Sequence, residues 1–274
     1  MKVVILTSSK YGTAGNHLPY LIESNLADIV MVIFNQGEIH KKRKFYKNKI
    51  LKIFRIGVLG ALNGIRMRKW FDVSMTDHRE IKSIEDICKH NSIPYFETPT
   101  INCETTRQLF RKSGADLGIS LGNGYIGQKI FSIPKFGMIN IHHELLPEYQ
   151  NAQSIIWQLY NGSTVTGYTI HKIDKNIDTG SILYQESVPI FFLETLPKTI
   201  SITSALLLKS SAKGLVNCIE NFESLYSHAK PQGHGHSYTT PTFKQYLRIR
   251  KNFYDLKKSI AQQSIAKSGT DVLL

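Results

Sequence analysis

Apolar residues fall into short, dense runs separated by turn-forming residues through the first half of the chain. Residues 2–7 (KVVILT) and 28–34 (DIVMVIF) are β-branched apolar runs, each closed by a turn containing Gly12 or Gly37, and both read as buried strands. Between them a helix is predicted over 16–24, with Pro19 tolerated in its first turn. Two more helices are predicted over 83–90, where Ser83 is followed three residues later by Asp86, and over 104–112. Strands are predicted at 93–97, 115–121 and 138–142. Strands alternating with short helices argue for an α/β class with a mostly parallel sheet. In such sheets ligands bind beyond the carboxyl ends of the strands, so the loops after residues 7, 34 and 121 are where chemistry is expected. Apolar residues then recur at helical spacing over 201–222, a Pro/Gly-rich loop follows, and a polar helix is predicted over 242–264. The expected division is a domain over 1–200, carrying a basic insertion at 40–72, and a helical and loop extension over 201–274.

Charge changes this picture at one place. The 274 residues include 34 Lys and Arg against 21 Asp and Glu, a net charge of +13. Eleven of the basic residues lie between Lys41 and Phe71, a stretch with no Asp or Glu, so the remainder of the chain is close to neutral. That is not the chain-wide basic surface of a nucleic-acid binder. Ile50, Leu51, Ile53, Phe54, Ile56, Val58, Leu59 and Leu62 alternate loosely with Lys49, Lys52 and Arg55 in an amphipathic helical pattern interrupted by Gly57 and Gly60. Three readings of the block stay open: a contact for substrate phosphates, a seat on an anionic membrane, or a covering helix with a solvated face. No apolar run reaches the roughly 18–20 residues of a spanning helix, and no signal peptide is expected at the start. Cys88, Cys103 and Cys218 are scattered, which points to a reducing, cytoplasmic setting. His234 and His236 lack a third ligand nearby, so no metal site is expected.

Candidate chemistry concentrates between Gly137 and Gly180. On a strand over 138–142, Asn140 and His142 are two apart and leave the same face. A carboxamide donor beside an imidazole suits acyl transfer, one bonding an oxyanion and the other taking a proton; a buried polar couple satisfying loop backbone fits the same spacing. A second segment, Thr166 to Gly180, reads as a strand ending at His171 and a loop that delivers Asp178 to a Thr-Gly turn. A carboxylate there could orient His142, although Asp-Thr-Gly is by itself a common turn.

Together, Asn140-Ile141-His142 followed by Leu145-Leu146-Pro147, and Gly167-Tyr168-Thr169-Ile170-His171 followed by Asp178-Thr179-Gly180, resemble the folate-dependent formyltransferases. The resemblance implies a Rossmann-like formyltransferase fold and use of 10-formyltetrahydrofolate as formyl donor, without a metal. It implies Asn140 as oxyanion donor, His142 as base or proton shuttle and Asp178 as its acidic partner. Gly122, Asn123, Gly124, Tyr125 and Ile126, with Ile173, Asp174 and Ile177, match the stretches that hold the folate. His171, Tyr149 and Lys10 are expected on the substrate side. The chain departs from the family pattern at His143-Glu144, where relatives carry a small residue, and at Gln150-Asn151, where Arg-Gly is usual.

Within the family, methionyl-tRNA enzymes add a C-terminal β-barrel, whereas 33 residues follow Pro241 here and look helical. Glycinamide ribonucleotide enzymes carry a Gly-x-Gly-Ser loop that Ser8 to Gly15 matches poorly, and deformylases a preceding regulatory domain. The size and the Pro231–Gly235 stretch are similar to sugar N-formyltransferases. The resemblance therefore implies N-formylation of a nucleotide-linked amino-dideoxy sugar. Another amine as acceptor is the first alternative, and an anion-binding protein on the same fold, without activity, is the second. Expected partners are that sugar and, through 41–69, an anionic membrane surface; a homodimer is left open and nucleic acid is not expected.

Overall fold

The computed structural model describes residues 1–38, 42–76, 82–151 and 153–270. Lys41, the first of the basic run, and the side chains of Lys42 and Lys44 lie outside the described residues. In chain order the elements are β1 (Lys2–Thr7), α1 (Gly12–Ser24), β2 (Asp28–Asn35), α2 (Lys42–Ile56), α3 (Val58–Thr76), α4 (Ile84–His90), β3 (Tyr95–Thr98) and α5 (Glu104–Ser113). Then come β4 (Leu117–Leu121), α6 (Gln128–Phe131), β5 (Met138–His142), α7 (Ile156–Tyr160), β6 (Val165–Lys172), β7 (Ile182–Pro189), α8 (Leu196–Glu220), α9 (Phe222–Ser227) and α10 (Phe243–Thr270).

The strands form one sheet in the order β3-β2-β1-β4-β5-β6-β7, parallel from β3 through β5 and antiparallel for β6 and β7. The fold is thus α/β and mostly parallel, as the strand–helix alternation predicts. Strand periodicity of two explains the unbroken apolar runs, because both faces are covered. Val3 and Ile5 pack with Leu18 and Leu21 of α1 and Leu207 and Leu215 of α8, whereas Val4 and Leu6 face Phe110, Ile126 and Ile130 on the other side. Ser83 caps α4 by accepting from the Asp86 amide, as its position before an apolar run predicts.

The first helix begins at Gly12 rather than near residue 16, and the amphipathic run 50–62 is split between α2 and α3 at Gly57, one of the two glycines that interrupt its pattern. Gly57, at φ +75°, takes a left-handed conformation that a side-chain-bearing residue resists and ends α2 there. The boundary expected at 200/201 falls inside α8, whose Leu207, Leu215 and Cys218 belong to the same core as β1 and β4. A third cluster joins Met67 and Trp70 of α3, Ile156 and Leu159 of α7, Ile200 of α8, and Tyr246, Ile249 and Phe253 of α10. Through it the basic segment and the C-terminal helix are packed on the body of the protein.

Candidate active site

Beyond the carboxyl ends of β4 and β5 lies an open cavity of about 730 Å³. Asn140, His142, His171 and Asp178 all line it. Antiparallel pairing of β5 with β6 sets Asn140 opposite His171 and His142 opposite Thr169. Nδ1 of His171 lies 2.8 Å from the Lys172 carbonyl, which only accepts, so this nitrogen carries the proton. Nε2 is then the acceptor and receives Nδ2 of Asn140 at 3.3 Å. Burial drives His171 below the usual histidine range, opposed by the Asp178 carboxylate, so the ring is neutral.

His142 is held in the complementary way. Its Nε2 donates to the Tyr149 carbonyl at 2.9 Å, which leaves Nδ1 as the basic atom. Nδ1 is 3.7 Å from Oδ2 of Asp178, and Oδ1 of the same carboxylate is 3.7 Å from Nε2 of His171. Asp178 itself stands at φ +55°, a left-handed conformation that Asp tolerates, and accepts from the Asn151 amide at 3.0 Å. The turn it occupies needs the glycine two residues on: a Cβ at Gly180 would sit 1.8 Å from the Lys172 carbonyl oxygen. Thr179 and the Asn176 amide both bond the Asp174 carboxylate, closing the loop from within.

The two loops matching the folate stretches both line the cavity, with Gly122, Gly124, Tyr125 and Ile126 from the first and Ile173, Asp174, Ile177 and Asp178 from the second. The Tyr125 hydroxyl reaches the Lys175 carbonyl at 3.4 Å and ties the loops together. Asn102 clamps the first loop, donating to the Tyr125 carbonyl and accepting from the Gly127 amide. The Asn123 side chain also borders the cavity, but its polar atoms are engaged with Leu6, Ser120, Ser8 and Asn35, so it braces the ends of β1, β2 and β4.

Two expected substrate contacts stand elsewhere. Lys10 does not line the cavity; its ammonium is 3.7 Å from Glu97 and rests over Phe34, the nearest negative charge and ring. The Tyr149 ring stacks on Tyr238 at 5.6 Å, within an aromatic group that includes Trp157, and only its carbonyl meets the site. Conversely, Arg68 and Phe71 of α3 do line the cavity, and motif reading did not reach them because nothing local marks which side of that helix turns inward. His143 and Glu144 border it as well. His143 shares Ser211 with His17, at 3.1 and 2.9 Å, and burial pushes the two imidazoles down to about 3 and about 4. Glu144 is buried beside Gln158, its carboxyl driven well above the usual range by burial.

The chain is similar to known proteins in sequence and in fold. Residues 79–205 match the formyl transferase family model. A methionyl-tRNA formyltransferase of Deinococcus radiodurans is 39% identical over 126 residues, covering 45% of this chain and 38% of the relative. The chain spans about half the length, or less, of the curated relatives it matches. Among solved structures, glycinamide ribonucleotide transformylase 1 of Symbiobacterium toebii superposes with a TM-score of 0.55 at 15% identity, over 86% of this chain and 92% of that one. The N-formyltransferase of Helicobacter canadensis, solved with folinic acid and dTDP-3-aminofucose, superposes at 0.53 and 19% identity, over 92% and 80%. At these identities the likeness to solved structures is one of fold. Residues 79–205 are thus similar in sequence to the formyl transferase family, and the chain shares the fold of solved formyltransferases.

Proposed function

We propose that the chain is a folate-dependent N-formyltransferase that moves the formyl group of 10-formyltetrahydrofolate to the amine of a nucleotide-linked amino sugar. The observation that carries the reading is the convergence of the Asn140 amide, Nδ1 of His142 and the Asp178 carboxylate on one cavity. A formyl group on an arylamine nitrogen is already activated, so positioning and an oxyanion donor suffice and no nucleophilic side chain is needed. The amine nitrogen bonds to the formyl carbon, and the bond from that carbon to the folate nitrogen breaks. Asn140 has one N–H on His171, and the other N–H of the same amide is the donor for the oxyanion. The proton lost by the amine goes to Nδ1 of His142, whose positive charge Asp178 stabilises, and from there to the departing nitrogen.

The walls suit a flat bicyclic donor: Ile126, Ile173 and Ile177 supply apolar contact, and the glycines of the first loop leave backbone edges open. For the acceptor, Arg68 at the cavity wall suits the oxygens of a diphosphate. The Helicobacter canadensis enzyme, solved with folinic acid and dTDP-3-aminofucose, shares the fold over 92% of this chain, which supports the same pair of substrates here.

A test is to incubate the purified chain with 10-formyltetrahydrofolate and a panel of dTDP- and UDP-amino sugars, glycinamide ribonucleotide and methionyl-tRNA. Folate-dependent formylation of one sugar, lost in Asn140→Ala and His142→Ala, is the expected result. Formylation of another amine in preference would remove the sugar assignment, and no formyl product with any amine would remove the activity.

A further inference from the structure

The basic segment leaves an apolar surface that nothing among the described residues covers. Among the described residues, nine of the twenty exposed large hydrophobic side chains lie within 46–65: Tyr46, Ile50, Leu51, Ile53, Phe54, Val58, Leu59, Leu62 and Ile65. Single exposed leucines are ordinary on a protein surface; nine in twenty consecutive positions form a patch that calls for an occupant. Phe54 is 81% exposed.

Helix geometry shows that the exposure is one-sided on α3. Gly60, Asn63, Gly64, Met67 and Trp70 recur at i, i+3, i+4, i+7 and i+10 and are buried, the last two in the cluster with α7, α8 and α10. Leu62, Ile65 and Lys69 point the other way and are exposed, and Leu59 and Arg66, on the flank of the buried face, are exposed as well. Among the described side chains of α2, Phe45, Lys52 and Ile56 are the ones covered even in part, and these three fall on a single side of the helix. α3 is thus fixed to the body by one face, and the pair turns its apolar side chains outward.

Charge decides the chemistry of the occupant. From Lys42 to Phe71 the chain carries ten basic residues and no acidic one, and none of the eight whose side chains are described has an ion-pair partner among the described residues. Lys52 is held below the usual lysine range by partial burial and then by repulsion from Arg68 and Arg55. A second copy of this face would bring like charges together. Apolar side chains interleaved with unpaired cations on surface helices match the boundary of a negatively charged bilayer, where rings and aliphatic chains enter the acyl region and lysines stay at the headgroups. No helix among the described residues is long and apolar enough to cross a membrane, so the contact is one of lying on the surface.

We propose that the outward faces of α2 and α3 are a docking surface for an anionic lipid membrane. The proposal is independent of the reaction assigned to the cavity.

The test is co-sedimentation of the full chain with phosphatidylcholine vesicles, with and without phosphatidylglycerol. Pelleting with the anionic vesicles only, falling as salt is raised, is the expected result. Lys47→Gln with Lys69→Gln should lower partitioning about fivefold for each charge removed. Phe54→Ser with Leu59→Ser should lower it at any salt concentration, with an unchanged thermal melt, since both side chains are exposed. Absence of pelleting, equal pelleting by the variants, or a lipid-free dimer in sedimentation velocity that Phe54→Ser with Leu59→Ser dissociates would each overturn the proposal.

Discussion

Nδ2 of Asn140 donates to Nε2 of His171 across the β5–β6 pair, at 3.3 Å, and His171 can accept only because its Nδ1 proton is spent on the Lys172 carbonyl. That chain of two hydrogen bonds decides which end of the carboxamide is the donor toward the cavity. Replacing His171 by Phe removes the acceptor and frees the amide to rotate. Turnover should fall about tenfold to a hundredfold while KM for both substrates holds, and His171→Gln, which keeps an acceptor, should recover part of it. Steady-state kinetics on the three proteins checks this; an unchanged kcat in His171→Phe would refute the positioning role.

Asp178 faces an unprotonated nitrogen of each of two histidines at 3.7 Å, but Nε2 of His171 already accepts from Asn140, which leaves Nδ1 of His142 as the one with its lone pair free. Asp178→Asn keeps the turn and its tolerance of the left-handed backbone while removing the charge. Turnover should drop about a hundredfold or more, with the melting temperature nearly unchanged. A variant with wild-type kcat would show that the carboxylate does not assist proton transfer.

Arg68 lines the cavity from a helix outside every motif. Arg68→Ala should raise KM for a phosphate-bearing acceptor about tenfold and leave kcat and the KM for the folate in place, as loss of a hydrogen bond to a charged group would. Equal effects on both substrates would place Arg68 on the donor side instead.

Acid should unfold the protein through its buried histidines. His17 titrates near 6.5 when unfolded and is pushed down to about 4 by burial, with Nδ1 committed to the Thr13 carbonyl. Between those values the unfolded chain binds a proton that the folded one refuses, so stability is intact above pH 6.5 and is lost as pH falls toward 4. The loss from His17 is about 3 kcal/mol. Urea melts across this range should show it, and His17→Gln should flatten the limb; an identical slope in the variant would exclude His17 as its source.

Glu144 carries the opposite sign. Its folded carboxyl is held protonated well above the usual range, so its stabilising effect is fully present below about pH 4.5 and declines as pH rises. Glu144→Gln, which stays neutral beside Gln158, should raise the melting temperature at pH 7–8 and give no advantage at pH 4. A lower melting temperature at neutral pH would mean that the acid contributes a bond the amide cannot replace.

Particular residues show how far the chain could be read in one dimension. Asn140 and His142 share a face because strand side chains alternate, and that needs no tertiary knowledge. His171 was legible as the end of a strand, but its place opposite Asn140 depends on the antiparallel register of β6, which no local pattern encodes. Lys10 and Tyr149 lie in loops, where a long cation or a ring turns to whatever partner is nearest in space: Glu97 and Tyr238 here. Arg68 and Phe71 were hidden for the converse reason. Their helix spreads apolar residues around its whole circumference, so its rotation about its own axis is set by Met67 and Trp70 packing into a cluster with α7, α8 and α10, drawn from residues far apart in the chain.

By itself, then, the sequence determined the α/β class, the two motif segments and the concentration of charge in one stretch, since each follows from local periodicity, local spacing or simple counting. Tertiary structure alone decided which nitrogen of each histidine is basic, which face of α3 meets the cavity and which is left bare, and where the loop side chains point. The carbonyls that fix the two imidazoles, of Tyr149 and Lys172, are near in sequence, yet only the folded backbone turns them onto the rings; the rotation of α3 rests on apolar neighbours tens of positions away.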